Sequence, residues 1–176
     1  MTRYVAWLRG VNVGGHNKLP MQSLRTVLSA NGFEAVQTYI QSGNIVFQSG
    51  ESDRRQLERQ MTELIEQDFG FAPSVMIITG EELHAAVERN PFPEVADTPK
   101  HLHVNFLGDT PTHVNWDSLE ASRDSERYEL VDRVFYLHVP GSIWASKLAA
   151  KVERCLGVPV TSRNWRTVCK VRAMLA

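Results

Sequence analysis

The sequence predicts an α+β protein made of two ferredoxin-like halves, each running βαββαβ, with a linking helix and a C-terminal helix. Three observations predict it. β-Favouring stretches alternate with stretches whose apolar residues recur every three or four positions. Two pairs of adjacent strands are joined by short turns centred on Ser42-Gly43 and Asp132-Arg133. The order of elements over residues 1–80 returns over 101–176. The composition is ordinary for a folded chain, 43% apolar and 22% charged. With 176 residues, the chain can bury about 70% of its unfolded surface without a metal or disulfide staple.

In the first half, Tyr4–Arg9 reads as a strand and Gly10–Lys18 as a Gly/Asn-rich loop. Pro20 suits the first turn of a helix, where its missing N–H costs nothing. Met21, Leu24, Val27 and Leu28 then fall on one helical face, and Gly32 stops the helix. Val36–Gln41 and Asn44–Gln48 are expected strands of a hairpin. Leu57, Met61, Leu64 and Ile65 mark a second amphipathic helix that ends near Gly70, and Ser74–Thr79 is a strand rich in β-branched residues. Thr79-Gly-Glu-Glu82 is a capping box opening the linking helix. Asn90-Pro-Phe-Pro93 ends it, since proline cannot continue a helix. The expected divisions are therefore 1–80, a helix and Pro-rich linker over 81–100, and 101–176.

In the second half, His101–Leu107 is a strand and Trp116–Ser122 a short helix. Tyr128–Val131 and Val134–Val139 form the second hairpin. Ser142 is expected to cap a helix carrying Leu148, Val152 and Leu156, which Gly157 stops. Val158–Thr161 is a short strand. A final helix over 165–175 turns Val168, Val171 and Leu175 inward. The duplication rests on element order, not on residue-level repetition.

Charge is unevenly distributed. Residues 1–50 hold four Lys/Arg against Glu34, residues 51–142 hold 8 basic and 18 acidic residues, and residues 143–176 hold 7 basic residues against Glu153. Basic ends that met in space would attract an anion; equally, acidic middle helices could neutralise them. Two cysteines, Cys155 and Cys169, are too few for a secreted disulfide framework and suit a reducing cytosol. The N-terminal apolar run is too short for a signal peptide, because Arg9 interrupts it. A cytoplasmic protein with no membrane partner is the expectation.

The βαββαβ order places the loop after the first strand beside the turn between the second and third. That juxtaposes Arg9, Asn12, Gly14, Gly15, Asn17 and Lys18 with Gln41, Ser42 and Asn44. Glycines expose backbone N–H groups, the cations add charge, and the following helix presents its N-terminus. The expected ligand is a small anion, such as a phosphorylated metabolite. Alternatively, the glycines serve tight turns and the asparagines bond the local backbone. Neither a Walker A motif nor G-x-G-x-x-G is present, so no nucleotide cofactor is indicated.

Arg9-Gly-Val-Asn-Val-Gly-Gly15, Tyr39-Ile-Gln-Ser-Gly-Asn44, Asn90-Pro-Phe-Pro93, Ser146-Lys147-Leu148 and Thr161-Ser-Arg-Asn-Trp165 occur in this order. Together they resemble the bacterial family labelled domain of unknown function 1697, over nearly the whole chain. The resemblance implies a small soluble α+β protein and brings neither an activity nor catalytic residues. Relatives often carry Gly-Arg before Ser-Lys-Leu where this chain has Trp144-Ala145, so an anion-binding role for that arginine has no counterpart here.

A second candidate cluster is Ser146, Lys147, Arg163 and Asn164, near the starts of the last two helices, where anions are favoured. His101 and His103 share a strand face, but no third ligand completes a metal set. No nucleophile elbow and no acid–base pair is evident. The RNA-recognition version of the fold stacks bases on paired strand aromatics, and Asn44-Ile-Val-Phe47 lacks them. Nucleic-acid binding through the basic ends, or a structural or regulatory interaction module, are the alternatives to an anion binder.

Overall fold

The computed structural model describes residues 1–176. The chain forms two compact units, residues 1–85 with 169–176, and residues 86–168. Each unit holds a four-stranded antiparallel sheet whose strands follow the βαββαβ order.

The first unit contains β1 (Thr2–Arg9), α1 (Met21–Ala30), β2 (Glu34–Tyr39), β3 (Asn44–Ser49), α2 (Arg54–Phe69), β4 (Ser74–Thr79) and most of α3 (Gly80–Glu88). Its strand order is β2-β3-β1-β4. In register, Tyr4 lies opposite Phe47 and Thr79, and Ala6 opposite Ile45 and Ile77. Tyr4, Ala6, Ile45, Phe47 and Ile77 turn to one face and pack with Leu24 and Leu28 of α1 and Leu57, Met61 and Ile65 of α2. A strand period of two thus meets a helix period near four, which is the condition for one shared core. Val5, Trp7, Val46, Met76 and Ile78 alternate with that set and are buried as well. The central strands therefore read as continuous apolar runs.

Local signals set the helix ends. The Asp53 carboxylate accepts from the Arg55 and Gln56 N–H groups, and Gly70 closes α2 at φ +84°. The Thr79–Glu82 capping box forms in both directions, at 3.1 and 2.7 Å. β2 stops at Tyr39, two residues earlier than its sequence predicts, because Ile40 turns to φ +48°. The hairpin turn accordingly spans 40–43.

The second unit opens with a 3₁₀ turn at Pro93–Asp97, then β5 (Leu102–Leu107), α4 (Trp116–Ser122), β6 (Arg127–Val131) and β7 (Val134–His138). Two 3₁₀ turns, Ile143–Ala145 and Ala149–Lys151, lead into α5 (Val152–Leu156), followed by β8 (Val160–Asn164). Strand order is β6-β7-β5-β8, the same arrangement as in the first unit. Leu107, Phe135 and Leu137 pack with Leu119 of α4 and with Leu148, Val152 and Leu156. The closing helix α6 (Trp165–Met174) buries Val168 and Val171. From Cys169 onward it belongs with the first unit, where Leu175 packs on Gly80 and its carbonyl accepts from the Arg3 guanidinium.

Two expectations are corrected here. Ser142 does not cap a long helix; its side chain makes no capping bond. The Ser146 hydroxyl accepts instead from the Ala149 N–H at 3.0 Å, at the start of the Ala149–Lys151 3₁₀ turn. The apolar stripe cannot extend back one turn from Leu148, because that position is Trp144, which stands in water. The last strand starts at Val160 rather than Val158: Pro159 has no N–H to donate to a ladder.

His103 on β5 is buried, and its Nε2 meets no hydrogen-bond partner. Burial, followed by the nearby His101 and His138, pushes its pKa down to about 4. Two stability predictions follow from these placements. A Cβ at Gly43 (φ +84°) would stand 2.5 Å from the Leu8 Cβ. Gly43→Ala should cost about 3 kcal/mol or more in urea unfolding. His103 stays neutral in the fold but protonates near pH 6.5 once unfolded. Stability should therefore be full above that pH and fall by about 2–4 kcal/mol as pH drops from 6.5 towards 4. His103→Leu should flatten that fall, read from urea midpoints across the range.

Candidate functional site

The loop after β1 and the β2–β3 turn lie side by side, as the strand order requires. The Leu8 N–H donates to the Gly43 carbonyl at 2.8 Å. Gly43 lies against Leu8 and Val11. The Asn12 carboxamide links the two segments: Nδ2 donates to the Leu19 carbonyl at 3.0 Å and to the Gln41 carbonyl at 2.7 Å, while Oδ1 accepts from the Leu19 N–H at 2.8 Å. The segments thus meet directly, through a carboxamide and a glycine contact.

Beyond Asn12 the loop folds into a miniature hairpin. Asn12 N–H donates to the Asn17 carbonyl, and His16 N–H to the Val13 carbonyl. Its tip is Gly14-Gly15, at φ +57° and +78°. Two successive positive φ values are the signature of a mirror-image hairpin turn, and glycine adopts both without a Cβ penalty. Asn12 and Asn17 also have positive φ, which asparagine tolerates. The Asn17 side chain donates back to the Gly10 carbonyl. Several polar residues at this end therefore hold the loop in shape. Asn44 is fully buried and donates to the Tyr39 carbonyl and the Ser42 hydroxyl, bracing the neighbouring turn.

What remains open is the outside of the hairpin. Arg9, Gly14, Gly15, His16, Lys18, Gln41 and Ser42 are exposed. Gly14 has only a distant neighbour beside its Cα, and Gly15 has none. Directly after Lys18, α1 begins without a side-chain cap: Pro20 holds the N-cap position, and the first turn has no acidic residue. Two exposed aliphatic residues, Val13 and Ile40, flank the polar groups. Sequence reading missed Ile40. A β-branched residue at positive φ is strained, and nothing in Tyr39-Ile-Gln-Ser signals it.

The second cluster is spread apart. Ser146 donates to the buried Glu126 carboxylate at 2.9 Å. Burial pushes that carboxyl up, but hydrogen bonds from the Asp124 N–H and Ser146 more than offset it, so it lies below the usual range. Asn164 caps α6, accepting from the Thr167 N–H. Burial pushes the Arg163 guanidinium down to about 10, which leaves it charged at neutral pH. Glu126 precedes the edge strand β6, whereas Asn164 ends the opposite edge strand β8. Three strand spacings separate those edges, about 14 Å. Lys147 is exposed beside Ser146.

No three His, Cys, Asp or Glu side chains converge as a metal set. A cavity of about 60 Å³ lies where Arg3, Gln48 and Leu175 meet. That is room for a water or two, far below a metabolite pocket. No helix is long and apolar enough to cross a membrane.

Fold and loop geometry define an α+β protein with a doubled ferredoxin-like order and a braced Gly/Asn hairpin at one sheet end. The chain belongs to the family of proteins of unknown function DUF1697, whose model matches residues 1–136. It is similar to a solved structure, the conserved bacterial protein SP0830 from Streptococcus pneumoniae, at 27% identity and a TM-score of 0.75 over 99% of both chains. No curated protein matches it.

The bracing role of Asn12 can be checked directly. Asn12→Ala removes three hydrogen bonds at about 1 kcal/mol each. It should lower stability by about 2–3 kcal/mol in urea unfolding, whereas Lys18→Ala should leave the midpoint unchanged.

Proposed function

We propose that this protein binds a small anionic, phosphate-bearing ligand on the outer side of the 13–23 segment. The observation that carries the reading is the start of α1. Side chains of Asp53, Asn115 and Asn164 bond the first-turn amides of α2, α4 and α6, and Thr79 does so for α3. α1 has no such cap and no acidic residue in its first turn; α5 is also uncapped, but Glu153 stands in its first turn. Its N-terminal amides and partial positive charge stay available to an external anion. Lys18 stands two residues ahead, and the Gly14-Gly15 amides lie on the same loop.

This surface is polar and cationic and offers no acid–base pair or nucleophile, so the reading is one of binding. Residues 1–33 contain no carboxylate side chain, so no side-chain anion of that stretch competes for the site. The braced hairpin keeps the ordering cost of binding low.

Amide chemical shifts test the proposal during titration with pyrophosphate and a sugar phosphate at low ionic strength. Saturable shifts should concentrate at Gly14, Gly15 and residues 21–23. Lys18→Ala should weaken binding about tenfold by removing a charge-assisted hydrogen bond. Shifts scattered over the surface, or none in the 13–23 segment, would reject the site.

A further inference from the structure

Trp144 is 95% exposed. The other tryptophans differ: Trp7 and Trp165 are buried, and Trp116, 43% exposed, stacks on Tyr128 with ring centres 6.0 Å apart. Nor does Trp144 sit on a loose loop. It is the middle residue of the Ile143–Ala145 3₁₀ turn. The Ala145 N–H donates to the Ser142 carbonyl, and the Ser146 N–H to the Ile143 carbonyl. Ser146 is tied to the buried Glu126 at 2.9 Å. The indole is therefore displayed from a turn that is tied down just after it.

Immediately after this turn the chain winds through residues 147–156 with Leu148, Val152, Cys155 and Leu156 buried. Beside those buried residues, Lys147 and Arg154 are exposed and Lys151 is half-buried. Lys147 lies in the turn before the Ala149–Lys151 3₁₀ segment, Lys151 ends that segment, and Arg154 lies in α5, so the three cations follow one another along this stretch of chain. None of the three is in an ion pair. The carboxylates close to them along the chain or through contacts point elsewhere. Glu153 accepts from the Val160 N–H at 2.8 Å, and Glu126 is held by Asp124 and Ser146.

We propose that Trp144 and the cations Lys147, Lys151 and Arg154 form a docking surface for single-stranded nucleic acid. The indole stacks on a base, and the cations face the phosphates that follow. A base presents a π-face of the indole's size, and a polyanion matches a row of uncompensated cations. A duplex hides its base faces and offers only its phosphates. Insertion into a bilayer would need a broad apolar face, and the apolar side of this helix is already spent in the core of its own unit. An acidic peptide would satisfy the cations and leave the indole in water. This surface is separate from the α1 start and does not depend on the anion site there.

The test uses the full chain and its intrinsic fluorescence. An exposed indole dominates the long-wavelength emission, and stacking on a base quenches it. At low salt, oligothymidylate should quench that emission saturably. Trp144→Ala folds unchanged, because the side chain touches little, and should weaken oligonucleotide binding about tenfold, measured by anisotropy of a labelled strand. Lys151→Ala should lower the slope of log affinity against log salt by about 0.7. The proposal is overturned if the strand does not bind at low salt, or if Trp144→Ala binds as tightly as the unaltered chain. It is equally overturned if duplex DNA, polyglutamate or phosphatidylserine vesicles produce the same quench as the single strand.

Discussion

The β2–β3 turn can close over the end of β1 only because position 43 has no side chain. Leu8 fills the space a Cβ would need, and the Leu8 amide bonds the Gly43 carbonyl across the same gap. That contact fixes where the turn sits, and the turn in turn supplies the Gln41 carbonyl that receives the Asn12 amide. Asn12 then holds Leu19 through both its oxygen and its nitrogen. Loop, turn and the approach to α1 are thus one hydrogen-bonded assembly. The exposed glycines and Lys18 have a defined geometry because of it.

This arrangement divides the polar residues of the loop end into two kinds. Asn12, Asn17 and Asn44 satisfy backbone groups of the chain, and for the half-buried Asn12 and buried Asn44 this avoids the cost of unbonded polar atoms. His16 and Lys18 remain in solvent. Composition alone cannot separate these kinds, because an asparagine in a Gly-rich segment reads the same whether it braces the loop or faces a ligand.

Local chemistry made much of the fold legible. The Thr79–Glu82 box and the glycine stops at Gly70 and Gly157 act within four residues, so the sequence pattern and the structure coincide there. Ser142 was misleading for an equally physical reason. Two serines four residues apart both precede an apolar stripe, and what decides between them is whether the turn holding Ile143 and Trp144 can join the core. Trp144 stays in water, so the winding that leads into α5 begins only after Ser146. Ile40 was illegible because a strained β-branched residue is imposed by the turn around it, not by its own preference.

By itself, the sequence determined the order and type of the elements and the two hairpins. It also determined that cations gather at both ends of the chain while carboxylates crowd the middle. Those properties follow from periodicity, capping and composition, which act over a few residues or over none. Only the tertiary structure decided that Asn12 braces the β2–β3 turn, that Ser146 is tied to Glu126 and that Trp144 stands almost wholly in water. The first two depend on partners far away in sequence, Gln41 for Asn12 and Glu126 for Ser146. A contact of that kind exists only once the strands have set their register.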